Sequence, residues 1–364
     1  MSKQGWELHR ISGEPAEIGR QLGELVRPVF DAYMQQSAAW RGVRAWRGHA
    51  FVRHLRDTAL AHFPDQVAEL DGIAAGLGWS AEDIFLWNCR GELVHNTLDG
   101  CTTFAAIGGD ETLVAHNEDG DPFLHGKGLI VEVQPTDKPG FISFYYPGSL
   151  PGHTFAANRA GLVQAINNLR IRQPLTGVPR MILSRAVLDA STLDAAVHLL
   201  QDTPRASGFH HTLGAAGDAR VMSVEATAMR CSVVPVVRAS AHANHMIHPG
   251  CDREAQIVTD SSRDRQARVA ALLEERERSV AIDGDALVQM LHDKAPVGLP
   301  IYREDPNDPD DENTLATALF RIRNDGVALQ VRAQRAVVFD TFIARTRTHG
   351  GLSAAVLPTS KESA

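Results

Sequence analysis

The 364-residue chain has little of several things, and each lack narrows what it can be. It holds no apolar run of about eighteen residues, so no membrane span is expected. Its first residues, MSKQGWELHR, lack the apolar centre of a secretory signal. It has no surplus of positive charge: the formal net charge is −8, which argues against a nucleic-acid partner. Short basic stretches such as RTRTH (345–349) read as solvated surface. Cysteine is scarce. Cys89, Cys101, Cys231 and Cys251 are spaced too widely for a disulfide framework or a CxxC pair. The expectation is a cytoplasmic protein with reduced thiols.

What is present is ordinary globular composition, 44% hydrophobic and 22% charged. The length allows one large domain or two smaller ones. The first hundred residues read as helical. Ile18, Leu22, Leu25 and Val26 fall on one face of a helix over 14–30. A second helix is expected over 64–76, with Pro64 near its start. A third is entered through Ser80 and Asp83 and runs through Ile84 and Leu86. At Gly100 the texture changes to short β-like runs: 112–116, 129–134, 141–146, 162–167, 221–225, 231–238, 327–331 and 336–342. A helix pair over 180–201, its second member capped by Ser191 with Asp194 following, and a helix over 261–275 interrupt them. Helices segregated from antiparallel strands predict an α+β layered fold. DPNDPDDEN (305–313) reads as a solvated acidic loop. It lacks the glycine and closing glutamate of a calcium-binding EF-hand loop. The TSKESA tail, from about 358, is expected to be disordered.

The chemistry centres on TLDGCTTFAA (97–106). An α-amine has a pKa of about 7.7–8.0 and a thiol about 8.5, so a cysteine at a chain terminus carries a nucleophile and its base together. Cutting Gly100–Cys101 would create that terminus, and glycine leaves room at the carbonyl under attack. A small buried thiol is the rival reading of Cys101. HNEDGD (116–121) offers Asn117 and Asp119, of which Asp119 could orient an amine; the alternative is an Asx-rich turn. In AHANHMIHPGC (241–251), Asn244 can present an amide N–H to an oxyanion. The same stretch has metal-compatible types in His242, His245, His248 and Cys251, but their spacing matches no zinc motif.

Taken in order, these segments resemble the acyl-coenzyme A:6-aminopenicillanic acid acyltransferase family of N-terminal nucleophile hydrolases. The likeness runs from about residue 10 to about residue 345. It is carried by ISGEPAEIGRQLGE (11–24), ELDGIAAGLGWSAEDIFLWNCRGEL (69–93), DGCTTFAA with HNEDGD, AANRAGLVQAINNL (156–169), VMSVEAT (221–227), HANH (242–245) and TLATALFRIRNDGVALQV (314–331). The resemblance implies a four-layer αββα sandwich. It also implies self-cleavage into a helical α chain, 1–100, that stays bound to a catalytic β chain, 101–364. It gives Cys101 as nucleophile, Asp119 as active-site aspartate and Asn244 as oxyanion-hole asparagine. Ser262 with Arg263 or Arg265 corresponds to the family's serine–arginine pair. Two positions depart from the pattern, Gly120 where an aromatic residue is common and Ala243 where threonine is common. Both touch the expected pocket wall and bear on substrate choice.

The resulting expectation is a self-processing amidohydrolase that works through an acyl-enzyme and needs no metal or organic cofactor. Its substrates would be small N-acyl amides such as β-alanyl or aminoacyl amines. An acyltransferase would share the mechanism. A histidine-cluster metal hydrolase and a non-catalytic ligand-binding protein are the readings of other classes.

Overall fold

A computed structural model describes residues 6–94, 100–277, 282–295 and 298–346. The expected disordered tail lies outside the described residues. The chain opens with strand β1 (Leu8–Gly13), followed by helices α1 (Pro15–Gln36), α2 (Ala38–Val43), α3 (Ala50–His62), α4 (Pro64–Leu77), α5 (Ala81–Asn88) and α6 (Arg90–Leu93). Strands β2 (Cys101–Ile107), β3 (Thr112–Gly120), β4 (Leu129–Pro135), β5 (Phe141–Tyr145), β6 (Phe155–Asn158) and β7 (Leu162–Leu169) come next. Helices α7 (Arg180–Val187) and α8 (Leu193–Asp202) precede β8 (Gly208–Ala215), β9 (Val221–Ala226), β10 (Cys231–Pro235) and β11 (Ala239–His242). The chain then forms α9 (Asp260–Glu277), α10 (Gly284–Leu291), β12 (Asn313–Ile322), β13 (Gly326–Ala333) and β14 (Ala336–Ala344).

Most start signals act as the sequence predicts. Pro64 is the first residue of α4, and Ser80 Oγ accepts from the Asp83 N–H at 3.1 Å to cap α5. The cap of α8 is Thr192 rather than Ser191. The neighbouring hydroxyl accepts from the Ala195 N–H at 3.1 Å, one residue later than expected. The first hundred residues are not wholly helical either. Residues 8–13 form a strand because a parallel partner, β4, lies far along the chain, and local periodicity does not reveal it.

Two sheets organise the described residues. One has eight strands in the order β1-β4-β5-β6-β7-β8-β9-β10, the other six in the order β11-β2-β3-β12-β13-β14. They stack face to face, with Phe155 of β6 meeting Phe320 of β12 at 6.2 Å between ring centroids. The outer face of the six-stranded sheet buries Phe104, Leu113 and Leu319 against Val269 of α9 and Leu287 and Leu291 of α10. On the opposite side, α1, α4, α7 and α8 cover the eight-stranded sheet in one continuous apolar core. The order is helix, sheet, sheet, helix: the αββα sandwich. No described helix is long and apolar enough to cross a membrane.

Helices α1 and α4 approach with almost no side chain between them. A Cβ at Gly19 would stand 1.8 Å from the Glu69 carbonyl oxygen, and one at Gly76 would stand 2.1 Å from that of Arg20. Gly23 and Gly72 are equally closed, at 2.4 and 2.2 Å from backbone oxygens of the opposite helix. Backbone cannot yield as a side chain can, so Gly76→Leu should push the helices apart. Overpacking of this kind costs about 1–3 kcal/mol or more. A drop in thermal midpoint is the expected readout, and an unchanged midpoint would refute the close crossing.

Candidate active site

Strands β2 and β3 pair antiparallel, with Cys101 opposite Glu118 and Thr103 opposite His116. Side chains alternate along a strand, so β3 divides its residues between two faces. His116 and Glu118 point with Cys101 into the space between the sheets. Asn117 and Asp119 point toward the layer of α9 and α10.

On the inter-sheet face, Cys101 Sγ lies 3.7 Å from Glu118 Oε2, and His116 Nε2 lies 3.0 Å from the same oxygen. Ligand-type atoms of the three residues all fall within 4.8 Å of one another, and all three side chains are buried. The neighbouring hydrogen bonds fix proton positions. Asn167 Nδ2 donates to the His242 carbonyl, so Asn167 Oδ1 is the acceptor for Thr103 Oγ1 at 2.8 Å. Thr103 must then accept from His116 Nδ1–H, also at 2.8 Å. Burial lowers the His116 pKa to about 3, which keeps the ring neutral. Its bare Nε2 faces Glu118 Oε2, the oxygen that accepts from the Cys101 thiol, so a proton leaving the thiol can pass to Glu118 and be held between that oxygen and Nε2.

The other face carries charge. Asp119 is fully buried. Its Oδ1 accepts from Thr314 Oγ1 at 2.7 Å, beside a β-bulge in β12, and its Oδ2 has no hydrogen-bond partner. Burial raises its pKa, against the pull of Arg265 and Arg303. Its backbone N–H donates at 2.9 Å to the carbonyl oxygen of Gly100. Arg265, 1% exposed, rises from α9 to donate to the Cys101 carbonyl, to Thr102 Oγ1 at 3.0 Å and to Asn244 Oδ1 at 2.7 Å.

Several expected residues take other positions. Asn244 is at the site, but its Oδ1 accepts from the Cys101 N–H at 2.9 Å while its Nδ2 donates to the Asn168 carbonyl at 3.2 Å. The amide therefore turns its oxygen, not its N–H, toward Cys101. Of the two arginines, Arg265 is at the site. Arg263 is exposed and pairs with Asp260 at 2.6 Å, because two residues of helix turn it to the opposite side. Ser262 Oγ accepts from the Asn244 N–H at 2.9 Å and meets His245 Nδ1 at 2.8 Å, so it braces the site from behind. Asn117 is not at the site either. Its Nδ2 donates to the Leu291 carbonyl and its Oδ1 accepts from Thr317, on the face opposite the thiol.

Of the 241–251 histidines, His242 and His248 lie together, their ring centroids 6.3 Å apart, but their Nε2 atoms face Glu225 at 3.0 Å and Ser223 at 2.9 Å, and His245 binds Ser262, so the three do not aim at one position. None of the four cysteines forms a disulfide. The departure at Gly120 has a local cause. A Cβ there would stand 2.7 Å from the hydroxyl of Tyr146, which directly follows β5 of the other sheet. Ala243 is fully buried and gives its N–H to Gln266 of α9.

Sequence reading missed three residues. Glu118 and His116 were recoverable from the period-2 alternation of β3. Glu312 was not, because it lies in the acidic loop read as solvated. Most of that loop is exposed, as expected, but two of its carboxylates turn inward: Arg303 binds Asp308 and reaches Glu312 Oε2 at 2.9 Å, and Glu312 is 3% exposed. Burial raises the Glu312 pKa from 4.5 to about 7, against the pull of Arg170 and Arg303.

The family described as Acyl-coenzyme A:6-aminopenicillanic acid acyl-transferase matches residues 107–336. The chain belongs to this family. It is also 31% identical over 213 residues to the β-alanyl-dopamine/carcinine hydrolase of Drosophila melanogaster, covering 51% of this chain. The match spans only 54% of that relative's length. Among solved structures, a cysteine-to-alanine mutant of the conjugated bile acid hydrolase from Clostridium perfringens overlays with a TM-score of 0.42 at 10% identity, over 66% of this chain and 92% of that one. An arginine-to-leucine variant of the same hydrolase gives 0.37 at 10% identity, over 70% and 94%. These overlays are loose.

A carboxyl whose pKa is higher folded than unfolded binds extra protons in the folded state. Its contribution to stability therefore falls as pH rises from about 4.5 to about 7. The Glu312→Gln chain should lose less stability than the parent across that window in urea titrations. Parallel curves would contradict the burial of Glu312.

Proposed function

We propose that the chain is a self-processing cysteine amidohydrolase that cleaves small N-acyl amides through an acyl-enzyme. The observation that carries this reading is the constellation around one peptide bond. The Gly100 carbonyl oxygen already accepts from a buried N–H, that of Asp119. The following nitrogen donates to Asn244, and the following thiol sits beside Glu118. In this reading Cys101 Sγ attacks the Gly100 carbonyl carbon and gives its proton to the Glu118–His116 pair. The α-amine does not yet exist, so the uncut chain needs this separate base. The Asp119 N–H stabilises the oxyanion. The Gly100 C–N bond breaks, and the leaving nitrogen takes up a proton and becomes the Cys101 amine. Water hydrolyses the thioester to free the thiol and the Gly100 carboxylate.

In the matured protein that amine, oriented by Asn244 Oδ1, takes the thiol proton, and the thiolate attacks a substrate amide. Arg265 fixes the Cys101 carbonyl so that amine and thiol share one geometry. Asn244 acts here by holding the amine rather than by donating to the oxyanion. No metal or organic cofactor enters this sequence of steps. The segment 1–100 stays bound to 101–364 after the cut. The name of the Drosophila relative favours β-alanyl amides as substrates. Four cysteines without a disulfide suit the cytoplasm as the working compartment. The family's own name favours a second reading, transfer of the acyl group to an amine instead of water. Product ratios with and without an added amine separate the two.

Intact mass under denaturing conditions tests the core of this proposal. Two species dividing at Gly100–Cys101 are expected, and Cys101→Ala should remain a single chain with no amidase activity. A Cys101→Ala protein that retains activity would end the reading. Glu118→Gln should slow the appearance of the two species by about 10²–10⁴, the usual contribution of a positioned proton acceptor. Splitting at the parent rate would remove Glu118 from that role.

A further inference from the structure

Gly100 is closed on one side by Glu312. A Cβ built on Gly100 in the L configuration would stand 2.3 Å from Glu312 Oε2 and 3.3 Å from Asp119 Cβ. A carboxylate at the end of a side chain can often swing away, but this one cannot do so freely. Arg303 Nη1 grips the same Oε2 at 2.9 Å, Arg170 stands 3.9 Å from Oε1, and the side chain is buried. Arg303 is itself held by Asp308 and by Ser261 Oγ at 2.7 Å. The obstruction is thus a braced group.

Self-cleavage and substrate cleavage use the same sulfur. Both also place a carbonyl oxygen against the same fixed N–H, that of Asp119. A substrate carbonyl must therefore lie where the Gly100 carbonyl lies, and its α-carbon must lie where Gly100 Cα lies. A recess of about 200 Å³ lies beyond this position and shares Glu312 and Arg265 with it, bordered also by Arg170 and Asp310.

We propose that Glu312 is the specificity-determining residue for the acyl group. It admits acyl groups whose α-carbon is an unsubstituted CH2, glycyl and β-alanyl among them, and rejects those with an L-configured α-substituent. The same contact restricts self-cleavage to a glycine at position 100. This inference rests on the amidohydrolase reading above, and it adds a constraint which that reading lacks. A hydrolase with the same nucleophile and no carboxyl at this position would accept L-aminoacyl amides.

Two measurements test it. First, the unaltered protein is assayed on β-alanyl, glycyl and L-alanyl amides of one aromatic amine. The L-alanyl amide should fall below the glycyl amide in kcat/KM by roughly 10- to 100-fold, the range expected for forcing one methyl group into a braced site. Second, the chain serves as its own substrate. Gly100→Ala should split more slowly than the parent by a similar factor, and Gly100→Ala combined with Glu312→Asp should recover part of the rate, because the shorter carboxyl withdraws. Equal cleavage of glycyl and L-alanyl amides would overturn the inference while leaving the amidohydrolase reading intact. So would a Gly100→Ala chain that splits as fast as the parent. A parent chain that neither splits nor cleaves any of the three amides would overturn the reading and the inference with it.

Discussion

The arrangement around Cys101 depends on one buried cation. Arg265 has lost nearly all contact with water, and a guanidinium in that state is costly unless its donors are matched. Its partners are the carbonyl of Cys101, the hydroxyl of Thr102, the amide oxygen of Asn244 and the hydroxyl of Ser261. Those partners belong to the start of β2, the loop after β11 and the first turn of α9. One side chain therefore ties an outer helix to the strand that bears the thiol. Asp119 and Glu312 supply opposite charge nearby, and Arg303 answers Glu312 in turn. The cluster is close to balanced and leaves its members little freedom, as a site built for fixed geometry requires.

Strand β3 sets two environments back to back. Its inter-sheet face carries Glu118 and His116 beside the thiol, and its helix-side face carries Asp119 within the field of Arg265 and Arg303. Only the backbone separates them. The same backbone contributes the Asp119 N–H, so one strand touches the thiol, the carbonyl oxygen and the charged cluster at once.

The layered fold and most of its elements could be read from the sequence, because they follow from apolar periodicity and from local start signals such as Pro64 and Ser80. Strand β1 could not, since its pairing partner is distant. Gly100–Cys101 and HNEDGD were legible as segments to be brought together, and they adjoin on paired strands, but which of their side chains face the thiol was not fully legible. Alternation along β3 assigns Glu118 rather than Asn117 to the thiol. The choice between Arg263 and Arg265 was also present in the spacing: Arg265 precedes Val269 by four residues and shares its buried face, and Arg263 does not. Asn244 was found by type, but the direction of its amide depends on Asn168 and Arg265, which only the closed fold brings near. Glu312 and Arg303 were hidden for the same reason. The acidic loop is solvated along most of its length, and only a buried arginine shows which two of its carboxylates turn inward.

The glycine-lined crossing of α1 and α4 lies wholly upstream of Gly100, whereas β1, from the same stretch, is stitched into a sheet whose other strands all lie downstream. A break at Gly100 would therefore leave the assembled shape untouched and change its history. An uncut chain folds as one molecule, at a rate independent of concentration. Two pieces that were once continuous must find each other again after denaturation, and the bond that joined them is gone. Maturation of this kind runs in one direction. The protein would keep a conformation that its separated parts, at cellular dilution, have no quick route to rebuild.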